Sequence, residues 1–547
     1  MGENIFKDRL FWLSFLVGGF FLTLTLWFGF GMDQAMHCYT AWVWKTYHLP
    51  PYIGAWDHIF PGIYFLYYLS ISIFGESMLG LRVFDLIFQL SGLPMIFYVA
   101  RKLSGRSIAG FLSCAFYGIF YYGLGNSDCN QKESFIFWFL LVCTVIAFSL
   151  EKKIWLRAAL AGIFLGFVFL LKPYYGLSWP VFGIYFLLQG VKKRPRMVWA
   201  ELFLFSLCCF LLPGLVILYY WDLGALDQLY FATITYNTEI YSKMADPRVQ
   251  SHYFWLIKMP QIILYLYPAF FLPTLFIWAL QGRKNYSAKD KSLFWILFSL
   301  MAVSVVSYRM QGRFYGYHLI PMVSFAILFA GWGVAEMIYS FKSVPGSLWE
   351  KPLLFIVSAG LAAFLIANMD PLLRSFAVRY CFRSLDRAYQ ADLQGPDKFL
   401  LSRNYYVAAK YLKPLAGPGD GIACFGPYPL IPYLLHKKLP TEIVTIHELL
   451  FLRRDGKVLP FQIEWISKFE SEIISSRPRF IIISSQFAVS RHTFSNFMNR
   501  DIKKALSENF PDLNVFLSQN YRLRATVSQV QIYEIIPAAG THSEIKY

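Results

Sequence analysis

Long apolar runs recur along the first 370 residues of the chain, separated by short segments that hold most of the charged residues. Each run approaches the ~20 residues that an α-helix needs to cross a lipid bilayer. The pattern therefore predicts about 11 transmembrane helices. The predicted spans are residues 10–30, 81–100, 107–125, 134–150, 155–171, 173–190, 198–220, 256–281, 292–308, 315–340 and 352–369.

The pattern changes after residue 370. Charged residues become frequent, Pro and Gly occur at short intervals, and short β-rich runs alternate with helical stretches. The β-rich runs are GIACF, EIVTI, RFIIISS and SQVQIYEI, and the clearest helical stretch is PFQIEWISKFESEIISS. We therefore predict a transmembrane domain over residues 1–370 and a soluble α/β domain over residues 371–547.

Composition supports a membrane protein. The chain has 57% hydrophobic and 15% charged residues and a mean hydropathy of +0.45, which leaves too little polar surface for a soluble globule. The net charge of +17 could indicate nucleic-acid binding, but the basic residues cluster at the ends of apolar runs. This arrangement is typical of cytoplasmic loops, so we expect a lipid bilayer and no nucleic acid as partner.

Basic residues between the predicted spans set the expected orientation in the membrane. Every basic cluster faces the cytoplasm if the N-terminus, with Lys7 and Arg9, also lies there. This alternation requires that the short apolar run 60–74 lies at the outer interface and does not cross the bilayer. Residues 31–80 are then one large external loop, on the same side as residues 371–547.

One carboxylate is prominent in this loop. Asp33 lies just beyond the first apolar run, and an aromatic, helical-looking segment and the Pro50-Pro51 pair follow it. We therefore expect Asp33 to face a structured, half-buried cavity, where it could act as a general base. The alternative is a carboxylate that is simply solvated.

Other acidic residues on the same side allow two interpretations. Asp57 and His58 precede a Pro-led helix, so they could bind a divalent ion or polarise a ligand, or they could cap that helix. Asp128 and Glu133 lie in GNSDCNQKES, which is also a good helix start, so a capping or surface role is equally plausible for them. The isolated histidines are predicted to be structural: His37, His48 and His252.

Three basic residues lie at the outer ends of predicted spans. Lys172 has no acidic neighbour in sequence, so it requires water or an anion from elsewhere in the structure. Arg309 and Arg313 repeat this arrangement, and snorkelling to lipid headgroups is the alternative for all three. Carboxylates and cations on one membrane face together describe a site that activates a hydroxyl while holding a lipid phosphate.

Four short motifs follow one another on the predicted external side. They are Asp33 with the later run WDHIFPGIYFLYYLSISIFGESMLGLRVFDLIF, then NQKESFIFWFLL, LLKPYYG and GRFYGYHLIPMVSFAILFAGWG. In these motifs and their order the chain resembles the GT-C glycosyltransferases, in particular the bacterial relatives of protein O-mannosyltransferases and of lipid A aminoarabinose transferases. The resemblance covers most of residues 10–340. It departs from the family pattern where only Pro61 remains of a Pro pair and where Tyr317-His318 inverts the His–Tyr order.

The resemblance implies a polytopic α-helical membrane protein of GT-C type, with an extracytoplasmic C-terminal α/β domain, in the bacterial inner membrane. It implies a polyprenyl-phosphate sugar donor, a hydroxyl acceptor, inversion at the anomeric carbon, and no cofactor other than a divalent metal ion. The positions that match are Asp33 as general base; Lys172, Arg309 and Arg313 at the donor phosphate; and Asp57, His58, Asp128 and Glu133 at the acceptor or the metal ion.

Two other classes of protein fit the same hydropathy pattern. A transporter or lipid flippase is also multi-pass, but its ionisable groups are expected near the middle of the spans, whereas here they gather at the outer ends. A non-catalytic cell-envelope assembly protein could use the external domain for binding alone. In that case its loop carboxylates would be individually dispensable.

Overall fold

The computed structural model describes residues 5–244, 254–258, 288–312, 315–343, 402–426, 428–446, 459–484 and 502–537, with a few isolated positions between them. Several predictions fall outside the described residues. These are the span 352–369, the domain boundary at residue 370, the role of His252 and the side chain of Arg313. Most of the span 256–281 also lies outside.

Helices dominate the first 343 residues. In chain order they are α1 Arg9–Thr23, α2 Met32–Tyr47, α3 Gly62–Phe74, α4 Met78–Ser104, α5 Ser107–Gly123, α6 Gly125–Asp128, α7 Lys132–Ser149, α8 Ile154–Leu171, α9 Ser178–Lys193, α10 Val198–Asp222, α11 Leu226–Tyr230, the π-helical segment Phe231–Ile240, α12 Lys291–Gln311 and α13 Ile320–Ser343.

Among the described residues, seven helical segments are long and apolar enough to cross a bilayer. They are Arg9–Trp27, Met78–Ser104, Lys132–Ser149, Ile154–Leu171, Val198–Asp222, Lys291–Gln311 and Gly316–Tyr339. The helices α3 and α5 are apolar but shorter. The predicted fold class, a polytopic helical membrane protein with a small C-terminal sheet, is confirmed, with an approximate helix count.

Glycines allow the closest helix contacts. A Cβ at Gly118 of α5 would lie 2.5 Å from the carbonyl oxygen of Gly18 of α1, and a Cβ at Gly162 of α8 would lie 2.5 Å from that of Phe205 of α10. Only hydrogen side chains permit this approach of two backbones. The outer face of α10 is largely uncovered, with Trp199 and Phe203 each 70% exposed, as expected for a helix facing lipid.

Ion pairs join the helix ends that lie opposite Asp33. Arg106 on α5 pairs with Glu336 on α13 at 2.8 Å, and Lys102 at the end of α4 pairs with Asp290 at 3.1 Å. Arg157 on α8 forms a buried pair with Glu201 on α10. Several basic residues that the sequence assigns to cytoplasmic loops therefore also hold neighbouring helices together.

A four-stranded sheet forms the described centre of the C-terminal region, in the order β1-β2-β4-β3. The strands β1 and β2 are parallel, with Ile422 opposite Phe480, and the other pairs are antiparallel. The elements are α14 Ser402–Leu412, β1 Ile422–Phe425, α15 Leu430–Leu435, α16 Pro460–Ser476, β2 Phe480–Ser484, α17 Ile502–Asn509, α18 Pro511–Asn520, β3 Tyr521–Val527 and β4 Val530–Ile535.

The run EIVTI, residues 442–446, is not a strand, contrary to its predicted β-rich character. Its apolar residues Ile443, Val444 and Ile446 are buried, but the backbone joins no ladder. Burial in an irregular segment produces the same apolar sequence signal as a strand, which explains the error.

This C-terminal region packs directly on the loop 31–80. The Tyr39 hydroxyl of α2 accepts a hydrogen bond from the Leu439 amide at 2.7 Å, and the Trp56 amide donates to the carbonyl oxygen of Glu442 at 2.8 Å. The Trp56 and Trp465 rings meet edge to face at 4.6 Å. The sheet and the loop that carries Asp33 therefore lie on the same side of the helices.

Candidate functional site

The first turn of α2 holds Asp33. The helix begins after Gly31, where a Cβ would lie 2.7 Å from the Ser127 Cα, so the start of α2 touches the loop that follows α5. Asp33 is half-buried. A carboxylate in the first turn of a helix interacts favourably with the helix dipole.

Two polar side chains fix the position of this loop. The Gln34 Nε2 donates to the carbonyl oxygens of Ser127 at 2.9 Å and of Cys129 at 2.6 Å. Arg82 of α4 donates to the Phe28 carbonyl oxygen at 3.2 Å and to that of Asn126 at 2.9 Å. The segment that carries Asp33 and the segment GNSDCNQKES, residues 125–134, are therefore held against each other. We call residues 125–134 the second acidic loop.

Three distant segments converge on Glu133. This residue lies in the first turn of α7 with 0% exposure, and Lys172 at the end of α8 donates a hydrogen bond from Nζ to its Oε1. The Nε2 of His318 lies 3.8 Å from the same oxygen. The structure thus supplies the anion that Lys172 lacks in sequence, and it brings together the second acidic loop, the LKPYYG turn and the segment after α12.

Opposing effects act on the pKa of Lys172. Burial lowers the pKa of its ammonium to about 8, the nearby charge of Glu133 acts to raise it, and Lys132 acts to lower it. Lys172 therefore remains mostly protonated at neutral pH but titrates slightly above it.

A second buried ammonium, Lys132, belongs to the same site. It is 4% exposed, and its Nζ lies 5.7 Å from the centre of the Tyr317 ring. Its positive charge acts to lower the pKa of both Lys172 and His37. Lys132 is not among the predicted site residues, although its position next to Glu133 in NQKES could have indicated it.

His37 lies at the centre of these groups. It is 2% exposed and sits edge-on to the Tyr64 and Tyr67 rings, at 5.5 and 5.3 Å. Burial is the main reason why the pKa of His37 falls to about 4, and the charges of Lys132, Asp57, Asp33 and Glu133 also act on the ring. The imidazole is therefore neutral at pH 7, and a structural role for His37 stays a prediction.

Asp57 and His58 form their own hydrogen-bonded unit. The Asp57 Oδ2 accepts from the Tyr64 hydroxyl at 2.6 Å, and its Oδ1 accepts from the His58 amide at 2.7 Å. Burial acts to raise the pKa of Asp57, but the hydrogen bond and charge of His58, with smaller contributions from His37 and Tyr64, lower it to about 2. Neither residue caps α3, which begins after Pro61 with no side-chain cap.

The remaining candidates are spread around the site. Asp128 is half-buried at the end of α6, and a Cβ at Gly316 would lie 3.9 Å from its Oδ2. The exposed guanidinium of Arg309 lies over the Trp255 ring at 5.2 Å. In the described part of the chain, no group of three or more His, Cys, Asp or Glu side chains is arranged to hold a metal ion.

These groups provide two kinds of chemistry. Asp33 is a half-buried carboxylate that could accept a proton from a hydroxyl. Lys132 and Lys172 are buried ammonium groups that could stabilise negative charge on a phosphate.

The chain is similar to known proteins in its sequence profile and in its fold. The profile of the family described as dolichyl-phosphate-mannose-protein mannosyltransferase matches residues 57–216. The crystal structure of ArnT from Cupriavidus metallidurans bound to undecaprenyl phosphate superposes with a TM-score of 0.52 and 12% identity, over 98% of this chain and 99% of that chain. The apo state of the same protein gives 0.54 and 13%, over 95% and 98%.

No curated protein sequence matches the chain. At 12% and 13% identity, the structural similarity establishes the fold. The resemblance that the sequence motifs suggested is confirmed at this level. The family match and the full-length structural similarity together identify this chain as a membrane protein of the GT-C glycosyltransferase fold.

Proposed function

We propose that this protein transfers a sugar from a polyprenyl-phosphate donor to a hydroxyl acceptor on the external face of the bacterial inner membrane. The observation that carries the proposal is the convergence of Asp33, Glu133 and Lys172 where the helices meet the external loops. ArnT from Cupriavidus metallidurans, which has the same fold, binds undecaprenyl phosphate. A lipid phosphate at the outer ends of the helices fits the position of Lys172.

In the proposed reaction Asp33 takes the proton of the acceptor hydroxyl as its oxygen attacks the anomeric carbon. The bond from that carbon to the phosphate oxygen breaks, and its electron pair leaves with the phosphate. A single displacement of this kind inverts the configuration at the anomeric carbon. Lys172, with Lys132 as a second cation, stabilises the negative charge of the leaving polyprenyl phosphate.

The other candidate residues are divided between the two substrates in this scheme. Arg313 and Arg309 are proposed to assist at the donor phosphate, and Asp57, His58 and Asp128 to orient the acceptor. The hydrogen bonds already made by Asp57 do not match the open carboxylates of a divalent metal site. We therefore derive no step through a metal ion.

The test uses the purified protein in liposomes with a radiolabelled polyprenyl-phosphate sugar and a panel of hydroxyl acceptors. We expect label to move from lipid to acceptor through a new glycosidic bond. A flippase would instead move the labelled lipid between leaflets without forming that bond, and this outcome would overturn the proposal.

A further inference from the structure

Glu133 is the counter-ion of the ammonium that we have proposed as a donor-phosphate ligand. Lys172 is 7% exposed, and its Nζ donates to the Oε1 of Glu133, which is 0% exposed. An ammonium buried in this way without an anion would be strongly destabilising. Glu133 therefore neutralises Lys172 before any donor arrives.

A donor phosphate and Glu133 require the same ammonium. Two anions placed side by side on Lys172 repel each other strongly, because the surroundings have a low dielectric constant. Lys132 lies close enough for its charge to act on Lys172, but the hydrogen bond to Glu133 is made by Lys172. Binding of the phosphate is therefore in competition with the pair between Glu133 and Lys172.

The surroundings of Glu133 offer it a second position. The Nε2 of His318 lies 3.8 Å from Oε1, just beyond hydrogen-bond distance. The other carboxylate oxygen, Oε2, has no hydrogen-bond partner among the described residues. A small rotation of the side chain would exchange the contact with Lys172 for one with His318.

We propose that Glu133 is a positioning residue that exchanges with the donor phosphate on Lys172. It holds the ammonium in the empty site, moves toward His318 when phosphate binds, and returns to Lys172 after sugar transfer. The proposal rests on the proposed function, because it takes Lys172 as a phosphate ligand. Its consequence is that Glu133 weakens binding of the polyprenyl-phosphate product and so promotes product release.

The first experiment measures binding of undecaprenyl phosphate, without sugar, to the full-length protein in nanodiscs. Work at about pH 6 favours the charged form of Lys172. In Glu133→Gln the internal competitor is removed, so we expect the Kd to fall by about 5- to 150-fold, the usual range for coupling between two ligands. Glu133→Asp keeps the charge on a shorter side chain, and we expect a smaller decrease.

The second experiment separates chemistry from product release. With a sugar-loaded donor, Glu133→Gln should keep a near-normal single-turnover rate, while its steady-state turnover falls because polyprenyl phosphate leaves slowly. Equal losses in both rates would contradict a role in release and would place Glu133 in the transfer step itself.

Glu201→Gln is the matched control. Glu201 forms a buried ion pair with Arg157 near the opposite end of α8, so this variant removes a similar pair and should leave the Kd unchanged. A Kd that stays the same or rises in Glu133→Gln overturns the exchange, and it would mean that Glu133 helps Lys172 to hold the phosphate.

Lys172→Met distinguishes failure of the exchange from failure of the proposed function. If Lys172→Met weakens binding while Glu133→Gln does not strengthen it, only the exchange is wrong. If Lys172→Met leaves the Kd unchanged, Lys172 is not a phosphate ligand, and the proposed donor site is wrong as well.

Discussion

Asp33 combines a half-buried position with a place in the first turn of α2, beside both acidic loops. We expect Asp33→Asn to abolish glycosyl transfer, because Asn keeps the volume but cannot accept a proton from a hydroxyl at neutral pH. Loss of a positioned general base typically costs about 10² to 10⁴ in rate. The measurement is the transfer rate of inserted protein, with melting temperature as the control for folding. Near-normal turnover would rule out Asp33 and direct attention to Asp57 or Asp128.

The two buried ammonium groups give a second prediction at the scale of residues. Lys172→Met and Lys132→Met should each raise the Kd for the lipid phosphate by about 10- to 100-fold, because each removes a charge-assisted contact. Arg313→Met should act in the same direction. Unchanged binding in all of these variants would show that none of these residues takes part in donor binding.

The affinity of Lys172 for phosphate should also depend on pH. Its pKa lies at about 8, so the ammonium loses its proton as the pH rises through that value and phosphate binding should weaken there. Lys172→Arg provides the comparison, since a guanidinium stays charged across this range. A wild-type affinity that is constant from about pH 7 to pH 9 would contradict the assignment.

Sequence analysis could select Asp33 and Lys172, because a charged residue at the end of an apolar run is visible without any structure. It could not pair Lys172 with Glu133, which lies 39 residues away. Nor could it show that His37 and Lys132 are buried, because nothing in the local pattern of α2 or NQKES reports which neighbours will cover them.

At the scale of elements, Gln34 connects α2 to the loop before α7 through carbonyl oxygens of that loop. We expect Gln34→Leu to lower the transfer rate more than the donor affinity, since it frees Asp33 from the second acidic loop and leaves Lys172 in place. The expected loss of stability is about 1 to 3 kcal/mol for the unsatisfied groups. Equal changes in rate and affinity would count against this role.

Thr40→Val is the matched control on the same helix. Thr40 is 1% exposed and its hydroxyl has no hydrogen-bond partner among the described residues, so a near-isosteric apolar side chain removes no contact. We expect the rate and affinity of this variant to stay close to those of the wild type.

The apolar runs predicted the long helices because a helix that crosses a bilayer must be both long enough and apolar along its length. The run 81–100 lies within α4, which extends beyond it to Met78–Ser104. The predicted span 134–150 began two residues late, because α7 already starts at Lys132 and includes the polar pair Lys132 and Glu133, which contact Tyr317 and Lys172. Tertiary contacts, which a hydropathy pattern does not contain, decide such boundaries.

The proposed orientation of the whole molecule in the membrane can be tested directly. A periplasm-active reporter fused after Tyr547 should be active, and a cytoplasm-active reporter at the same place should be silent. The packing of Leu439 on Tyr39 and of Trp465 on Trp56 requires the same side for the C-terminal region and the loop 31–80. The opposite reporter pattern would move the entire site to the cytoplasmic face.

The sequence alone did not predict the packing of the C-terminal region on the loop 31–80. The alternation of basic loops predicts a shared side of the membrane, but it does not predict contact. The contact depends on the Tyr39 hydroxyl and on backbone groups of residues 439–442, which carry no recognisable motif.

The helix α8 has a cation near each end, and each cation is bound to a carboxylate. Arg157 pairs with Glu201 at one end, and Lys172 pairs with Glu133 at the other. The two cations are fifteen positions apart in the sequence, which corresponds to about 22 Å along the helix axis. Neither cation can adjust to a thicker or thinner bilayer, because both are bound to protein, whereas the phosphate of a lipid donor moves with the membrane surface. The acyl-chain length of the surrounding lipids should therefore change the rate of transfer, with no change to any catalytic group.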